Sequence, residues 1–437
     1  MIERKEYMNL LEKWRDKKAI KVVTGIRRCG KSSLLRMFRE KLLSDGVSEE
    51  QVQNLNFEDL DNEPFLDYKI LYAHVKQNLC PDKMNYLFFD EIQECPRART
   101  ALKFFKTDGR YDVIGTGSLL GVSGYHTNAS SEAPIPVGYE TIIDMYPMDF
   151  EEWLWANGIK KMTIDYLHRC LEEKTPVQEA IHERMRQLLL QYCIVGGMPR
   201  AVSVFMETHN MQNVLRMQQA IIEEYKVDML KYAPQADKSR IRECFESIPR
   251  QLSKENKKFA YATVRSNGRG RDYQGSLQWI EDAGIIRRCY NLSAPELPLD
   301  GNSIPDQFKV YMADTGLFIS MLEPGTAADI LQGNLYGYKG AIFENLVADI
   351  FGKMNRKLYY FRKDSGLEID FVTRYEGKCT LVEVKASNGN IKSAKTILSN
   401  PEKYHVSQAI KLGDVNVGTA PQTLILPLYM AFLLKNK

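Results

Sequence analysis

Three stretches near the N-terminus carry residue types whose spacing suits triphosphate chemistry. The first is Gly25-Ile26-Arg27-Arg28-Cys29-Gly30-Lys31-Ser32-Ser33. Glycines at its first and sixth positions let backbone N–H groups turn inward around phosphate oxygens, and the helix that follows adds a field favourable to anions. Lys31 would reach the β- and γ-phosphates and Ser32 would ligate Mg²⁺, so the run from Gly25 to Ser33 reads as a nucleotide cradle. The second stretch, Tyr86-Leu87-Phe88-Phe89-Asp90-Glu91, is an apolar strand ending in two acids. Asp90 would hold the Mg²⁺ shell and Glu91 would polarise the attacking water. The third, Val113-Ile114-Gly115-Thr116-Gly117-Ser118, ends in small polar residues. Thr116 and Ser118 either sense the γ-phosphate and orient water, or simply turn a strand into a loop.

A second constellation sits near the C-terminus. Gly366-Leu367-Glu368-Ile369-Asp370-Phe371-Val372 and Cys379-Thr380-Leu381-Val382-Glu383-Val384-Lys385 both alternate apolar and polar residues. Side chains two apart on a strand share a face, so Glu368 pairs with Asp370 and Glu383 with Lys385. Were the two strands a hairpin, Asp370, Glu383 and Lys385 would converge. Hard carboxylates suit Mg²⁺ or Mn²⁺, and the lysine would position water or stabilise charge on a phosphate. The plainer alternative is a solvated hairpin face. Against it, charge placed in two otherwise apolar strands costs energy unless it is paired or used.

The elements that must position these groups can be read around them. A short β-branched strand over 20–24 leads into the cradle, and Leu34, Leu35, Met37 and Phe38 follow at helical spacing. Residues 160–233 are rich in helix formers, with helical periodicity over Arg184–Tyr192 and Val214–Ile222, broken at Gly196-Gly197-Met198-Pro199-Arg200. Trp153 and Trp155 read as packing. Further on, Arg240–Leu252 reads as a helix, a basic cluster follows (Lys254, Lys257, Lys258, Arg265, Arg269, Arg271), and a second helix spans Tyr273–Ala283, ended by Gly284 before a strand-like run. Helices followed by a ribbon is the order of a winged helix, which either reads DNA or serves only as a packing module. Residues 340–350 read as an amphipathic helix, Lys357–Phe361 as a strand and Leu424–Leu434 as a buried terminal element.

With 437 residues the chain calls for two or three domains. A net charge of +3 excludes a general polycation, so DNA binding would need local basic patches. The eight cysteines include no CxxC pair, which argues against a zinc ribbon or disulfide framework and for a reducing compartment. The N-terminus lacks the apolar core of a signal peptide and the longest apolar run is too short for a bilayer, so a cytoplasmic protein with no membrane partner is expected.

The run Val23–Ser32, the strand end Phe89-Asp90-Glu91-Ile92-Gln93, Thr116-Gly117-Ser118, Gly196-Gly197-Met198-Pro199, Glu368-Ile369-Asp370-Phe371 and Glu383-Val384-Lys385 together resemble the prokaryotic AAA-type P-loop ATPases that carry a C-terminal domain of unknown function. The resemblance covers nearly the whole chain. It implies an α/β protein that binds and hydrolyses ATP with Mg²⁺: a P-loop NTPase core over 1–158, a helical lid over 159–235, a winged-helix-like middle over 236–325 and a restriction-endonuclease-like domain over 326–437. The Gly-Gly-x-Pro break is similar to the Gly-x-Pro element of signal-transducing ATPases, which would set Pro199 near the adenine ring; the other reading is a plain helix–helix turn. The C-terminal strands resemble the PD-(D/E)xK nuclease core. That resemblance makes Glu344 the supporting acid, Asp370 and Glu383 metal ligands and Lys385 the catalytic lysine, although Ile369 replaces the family proline. Relatives often show Gly-Arg where this chain has Gly138-Tyr139, which implies slow hydrolysis or an arginine from elsewhere. Two functions follow: an ATP-dependent protein that cuts DNA, or a nucleotide-controlled switch whose C-terminal domain binds a partner without cutting. Homo-oligomerisation is an expectation by family analogy.

Overall fold

The structure is a computed structural model that describes residues 2–17, 19–95, 98–118, 140–233, 236–334, 338–385 and 389–435. Gly138 and Tyr139 lie outside them. The chain divides into two compact units. The first takes in residues 1–147 with 228–235 and 282–284, and the second takes in the remainder.

The first unit is built on five parallel strands: β1 (Ile20–Gly25), β2 (Val52–Asn56), β3 (Asn85–Asp90), β4 (Tyr111–Ser118) and β5 (Glu140–Met145). Their order is β2-β3-β4-β1-β5, so β4 lies between the strand that enters the cradle and the strand that ends in the two acids. β1 and β3 are buried along their full length, as a parallel sheet covered on both faces requires. Phe89, Phe105, Tyr111 and Val113 pack with Leu71 and Val75 in one cluster. A helix over Lys31–Ser44 follows β1 directly. Placing the acids of β3 and the start of this helix at the C-terminal edge of the sheet follows from parallel topology.

The second unit opens with helices over Phe150–Ala156, Lys161–Glu173, Glu179–Val195 and Pro199–Thr208. Later helices cover Lys238–Leu252, Tyr261–Val264 and Gly270–Asp282. Strands β6 (Ile286–Leu292) and β7 (Ser303–Met312) then form an antiparallel ribbon. The ribbon does not stand alone. Strand β6 pairs in parallel with β8 (Leu358–Arg362), and β8 continues through β9 (Glu368–Tyr375), β10 (Lys378–Lys385), β11 (Gln408–Gly413), β13 (Thr423–Pro427) and β12 (Gly418–Ala420). One eight-stranded sheet therefore takes strands from both sides of residue 325. The helix Lys339–Lys353 packs on β7, β8 and β10, and Phe361, Ile369, Val372 and Leu381 form the sheet's own core with Ile397. Among the described residues no helix is long and apolar enough to cross a membrane.

Candidate functional sites

The cradle's two glycines are there for different reasons. A Cβ at Gly25 would stand 2.3 Å from the Met145 carbonyl oxygen and 2.7 Å from Cys29 Sγ, so nothing larger fits. Gly30 takes φ +103°, the left-handed region that glycine enters without strain, and its carbonyl accepts the Leu34 N–H at 3.0 Å to start the helix. Lys31 is buried and donates to the carbonyls of Gly25 and Ile26 at 3.3 and 3.4 Å. Its ammonium thus hangs over the loop that would hold phosphate. Ser32 and Arg28 are exposed, Ser33 is half-buried, and Ile26 and Cys29 are buried. Arg27 reaches Asp228 at 2.8 Å.

Asp90 is buried at the end of β3 and Glu91 follows in a left-handed conformation, φ 52°. Thr116 lies fully buried between them. Its hydroxyl donates to Asp90 Oδ1 and accepts the Glu91 N–H at 3.2 Å. A hydroxyl has one proton, and here it is spent on Asp90, so Thr116 orients the two acids rather than presenting a donor to a phosphate. Two residues of this site were not legible in the sequence. Gln93 donates to Glu91 Oε2 at 2.5 Å and accepts the Ser118 N–H at 3.3 Å, tying the catalytic-type acid to β4. Arg4, buried far upstream, donates to the Cys29 carbonyl at 3.1 Å and the Tyr146 carbonyl at 2.7 Å, bracing the cradle against the end of β5. An arginine near the N-terminus, away from any motif, gives no sequence signal of that task.

Pro199 is the first residue of the helix Pro199–Thr208. The glycines before it are explained within the second unit. A Cβ at Gly196 would meet Asp314 Oδ1 at 2.2 Å, and one at Gly197 would meet the Met148 carbonyl at 2.0 Å. The Gly197 N–H donates to Asp314 Oδ2 at 2.6 Å.

In the C-terminal sheet, β9 and β10 do form a hairpin, with Val382 opposite Phe371. This brings Asp370 beside Glu383 and Lys385. Lys385 Nζ lies 2.6 Å from Glu383 Oε2 and 3.7 Å from Asp370 Oδ2. Asp370 Oδ2 also accepts the Val384 N–H at 2.8 Å, and Glu383 Oε1 accepts the Ala394 N–H at 3.2 Å. Burial pushes the Asp370 carboxyl up to about 7, and the nearby Glu344 adds to that while Lys385 opposes it. Burial works against the Lys385 ammonium, but Asp370 and Glu383 outweigh it and hold the pKa above the ordinary lysine value.

Glu344, on the helix Lys339–Lys353, closes the other side. Its carboxylate contacts Lys257 Nζ, lies 3.7 Å from Lys309 Nζ and accepts the Tyr311 hydroxyl at 3.1 Å. Burial would raise its pKa; Lys309 and Lys257 reverse that and hold it low. Lys309, fully buried on β7, also pairs with Glu368 at 2.8 Å. Strand alternation supplied Asp370, Glu383 and Lys385, and the nuclease-core resemblance supplied Glu344; Lys257, Lys309 and Tyr311 come from distant segments that only the fold brings in. Two oxygen-donor side chains beside a lysine are a donor set that suits Mg²⁺ or Mn²⁺. No three His, Cys, Asp or Glu side chains among the described residues form a closed cage. A divalent ion here would complete its shell with water and phosphate oxygens, as an open site does.

The parallel sheet, the glycine cradle and the acids of β3 make the first unit a P-loop domain of the AAA type. Residues 17–154 match the AAA domain family. Residues 186–327 and 339–429 match two domains of unknown function, DUF8612 and DUF4143. The chain is similar to an uncharacterised protein of Haemophilus influenzae, 28% identical over 177 residues, which is 40% of this chain and 43% of that relative; the match spans less than half of either. Among solved structures it is similar to a Walker-type ATPase of Pyrococcus abyssi, with 13% identity, TM-score 0.44 and coverage of 74% of this chain and 96% of the other. Looser still is the likeness to AMPPCP-bound DnaA from Aquifex aeolicus, with 12% identity, TM-score 0.24 and coverage of 64% and 88%. The assignment of the first unit rests on its motifs and the family match, not on these loose likenesses.

Proposed function

We propose that this chain binds and hydrolyses ATP with Mg²⁺ and acts on DNA, hydrolysing phosphodiester bonds at its C-terminal carboxylate site. The observation that carries the DNA-directed part is the meeting of Asp370, Glu383 and Lys385 on one hairpin, with Glu344 facing them.

At the first site, the cradle N–H groups and Lys31 hold the β- and γ-phosphates. Ser32 and Asp90 hold the ion, and Glu91, oriented through Thr116 and Gln93, polarises water. Pro199 is the candidate contact for the base. At the second site, Asp370 and Glu383 hold Mg²⁺ or Mn²⁺, which when bound supplies Lewis acidity and a more acidic water. Lys385, kept protonated by its two acids, offsets the charge that builds on the phosphate. Asp370 must be ionised to ligate, and a cation bound there would itself favour the ionised form over the protonated one that burial favours. Lys254, Arg265, Arg269 and Arg271 are exposed and suit DNA phosphates, in keeping with a winged-helix-like role for 236–325. On this reading the parts are the core, 1–158, a lid, 159–235, the DNA-facing middle, which lends β6 and β7 to the C-terminal sheet, and a restriction-endonuclease-like end, 326–437, in a chain that assembles as a homo-oligomer and works in the cytoplasm.

A second reading is a nucleotide-controlled switch whose C-terminal domain binds without cutting. The ion-paired Glu344 favours it. Labelled linear, single-stranded and four-way-junction DNA, incubated with Mg²⁺ or Mn²⁺ with and without ATP, separates the two. Cleavage by the wild type that Asp370→Ala abolishes supports the nuclease. ATP hydrolysis with no cleavage of any substrate supports the switch.

A further inference from the structure

Among the residues at the C-terminal site that its carboxylate pattern does not account for is Lys257. It lies in the turn between the helices Lys238–Leu252 and Tyr261–Val264, within Lys254-x-x-Lys257-Lys258. Residues 253–256 are exposed. The turn is clamped just after them. Phe259 donates its N–H to the Phe308 carbonyl on β7 at 2.8 Å and stacks on the Phe308 ring at 5.7 Å. Gln251 and Ala260 exchange two hydrogen bonds, 3.0 and 3.1 Å, across its base. The clamp holds the turn where Lys257 meets Glu344, the acid that Lys309 also approaches.

Among the described residues, carboxyl groups and cations around that contact are equal in number. Glu344, Glu368, Asp370 and Glu383 are four carboxylates; Lys257, Lys309, Lys385 and Arg362 are the four cations paired with them. A divalent ion added to this set leaves an excess of positive charge. Lys309 is fixed on a buried strand and Lys385 sits on the hairpin itself. Of these four cations, Lys257 is the one that comes from an exposed turn, and the same turn carries Lys254 and Lys258 beside it.

We propose that Lys257 is a positioning residue that holds Glu344 while the site is empty of cation, and that moves onto a DNA backbone phosphate when substrate and metal enter. It makes the metal site's occupancy depend on nucleic acid reaching the 253–258 turn. This rests on the metal-site reading above.

The test is Mn²⁺ binding to the full chain without nucleotide, followed by the electron paramagnetic resonance of free Mn²⁺, with Asp370→Asn as the blank. Lys257→Met, which keeps the stem and removes the charge, should bind Mn²⁺ roughly tenfold more tightly than wild type. It should also bind a fluorescein-labelled duplex more weakly, with the slope of log affinity against log salt reduced by about one. Lys257→Arg should follow wild type in Mn²⁺ affinity, which separates charge from packing, and thermal unfolding checks that both variants fold. Unchanged Mn²⁺ affinity in a folded Lys257→Met overturns the proposal and leaves the metal site standing. Mn²⁺ binding no stronger than the blank in wild type and Lys257→Met alike overturns the metal-site reading and this proposal with it.

Discussion

The two sites gather charge for phosphate chemistry in opposite ways. The cradle is made of consecutive residues, its anion donors are backbone N–H groups, and its lysine rests on the Gly25 and Ile26 carbonyls, which release it at little cost. The C-terminal site is made of side chains from six segments, and its acids are matched by lysines and an arginine. A backbone-built anion site stays open without its ligand because dipoles carry no net charge. A side-chain site in a sheet has to be neutralised while it is empty, because buried unpaired carboxylates are costly. The first is therefore poised for its ligand, and the second is held until a cation or phosphate displaces what balances it.

The sharpest break between them is at Lys31. Lys31→Ala removes the cradle lysine proposed to hold the β- and γ-phosphates and should lower ATP hydrolysis by about 10²-fold or more. Metal-dependent DNA cleavage measured without ATP should be unchanged. Asp370→Asn should do the reverse, abolishing Mn²⁺ binding at the C-terminal site while ATP turnover persists.

The same substitution has a pH signature in the metal-free protein. Because the native Asp370 pKa is raised from 3.8 to about 7, its contribution to stability is present below the unfolded value and lost as pH rises through about 7. Glu344 and Glu383 disfavour its ionisation; Lys385 and Lys309 favour it. Asp370→Asn should therefore unfold at a higher temperature than wild type at pH 8 and at nearly the same temperature at pH 4. Wild type and variant unfolding with parallel pH profiles would remove the electrostatic account of this site.

Smaller effects should sharpen the picture of the cradle. Arg4→Met removes a donor from the buried Cys29 carbonyl, at about 1–3 kcal/mol, and from the half-buried Tyr146 carbonyl, and should lower the unfolding midpoint and weaken ATP binding together. Thr116→Val removes the hydroxyl that spans Asp90 and Glu91. It should cut kcat about tenfold with little change in ATP affinity, whereas a direct phosphate contact would show mainly in affinity.

What could be read from the sequence follows the same division. The cradle, the acids of β3 and the sheet around them are contiguous patterns whose periodicity and glycines state the local geometry. The hairpin of β9 and β10 was legible because alternation fixes which side chains share a face, and Asp370, Glu383 and Lys385 obey it. Arg4, Gln93, Lys257 and Lys309 were not, because each acts through a contact whose partner lies elsewhere in the chain or through a turn that no period describes. The ribbon of β6 and β7 is the instructive mixed case. Its strands were visible, but its pairing with β8 was not, since parallel partners far apart leave no local mark.

The central claim is that one chain holds two separate phosphate-handling sites. The most direct measurement follows ATP hydrolysis and DNA strand cleavage side by side for wild type, Lys31→Ala and Asp370→Asn with Mn²⁺ present. The account predicts that Lys31→Ala loses hydrolysis but keeps the cleavage measured without ATP, and that Asp370→Asn loses only metal-dependent cleavage. A wild type that hydrolyses ATP but cuts no DNA, or an Asp370→Asn variant that cuts as well as wild type, would contradict it.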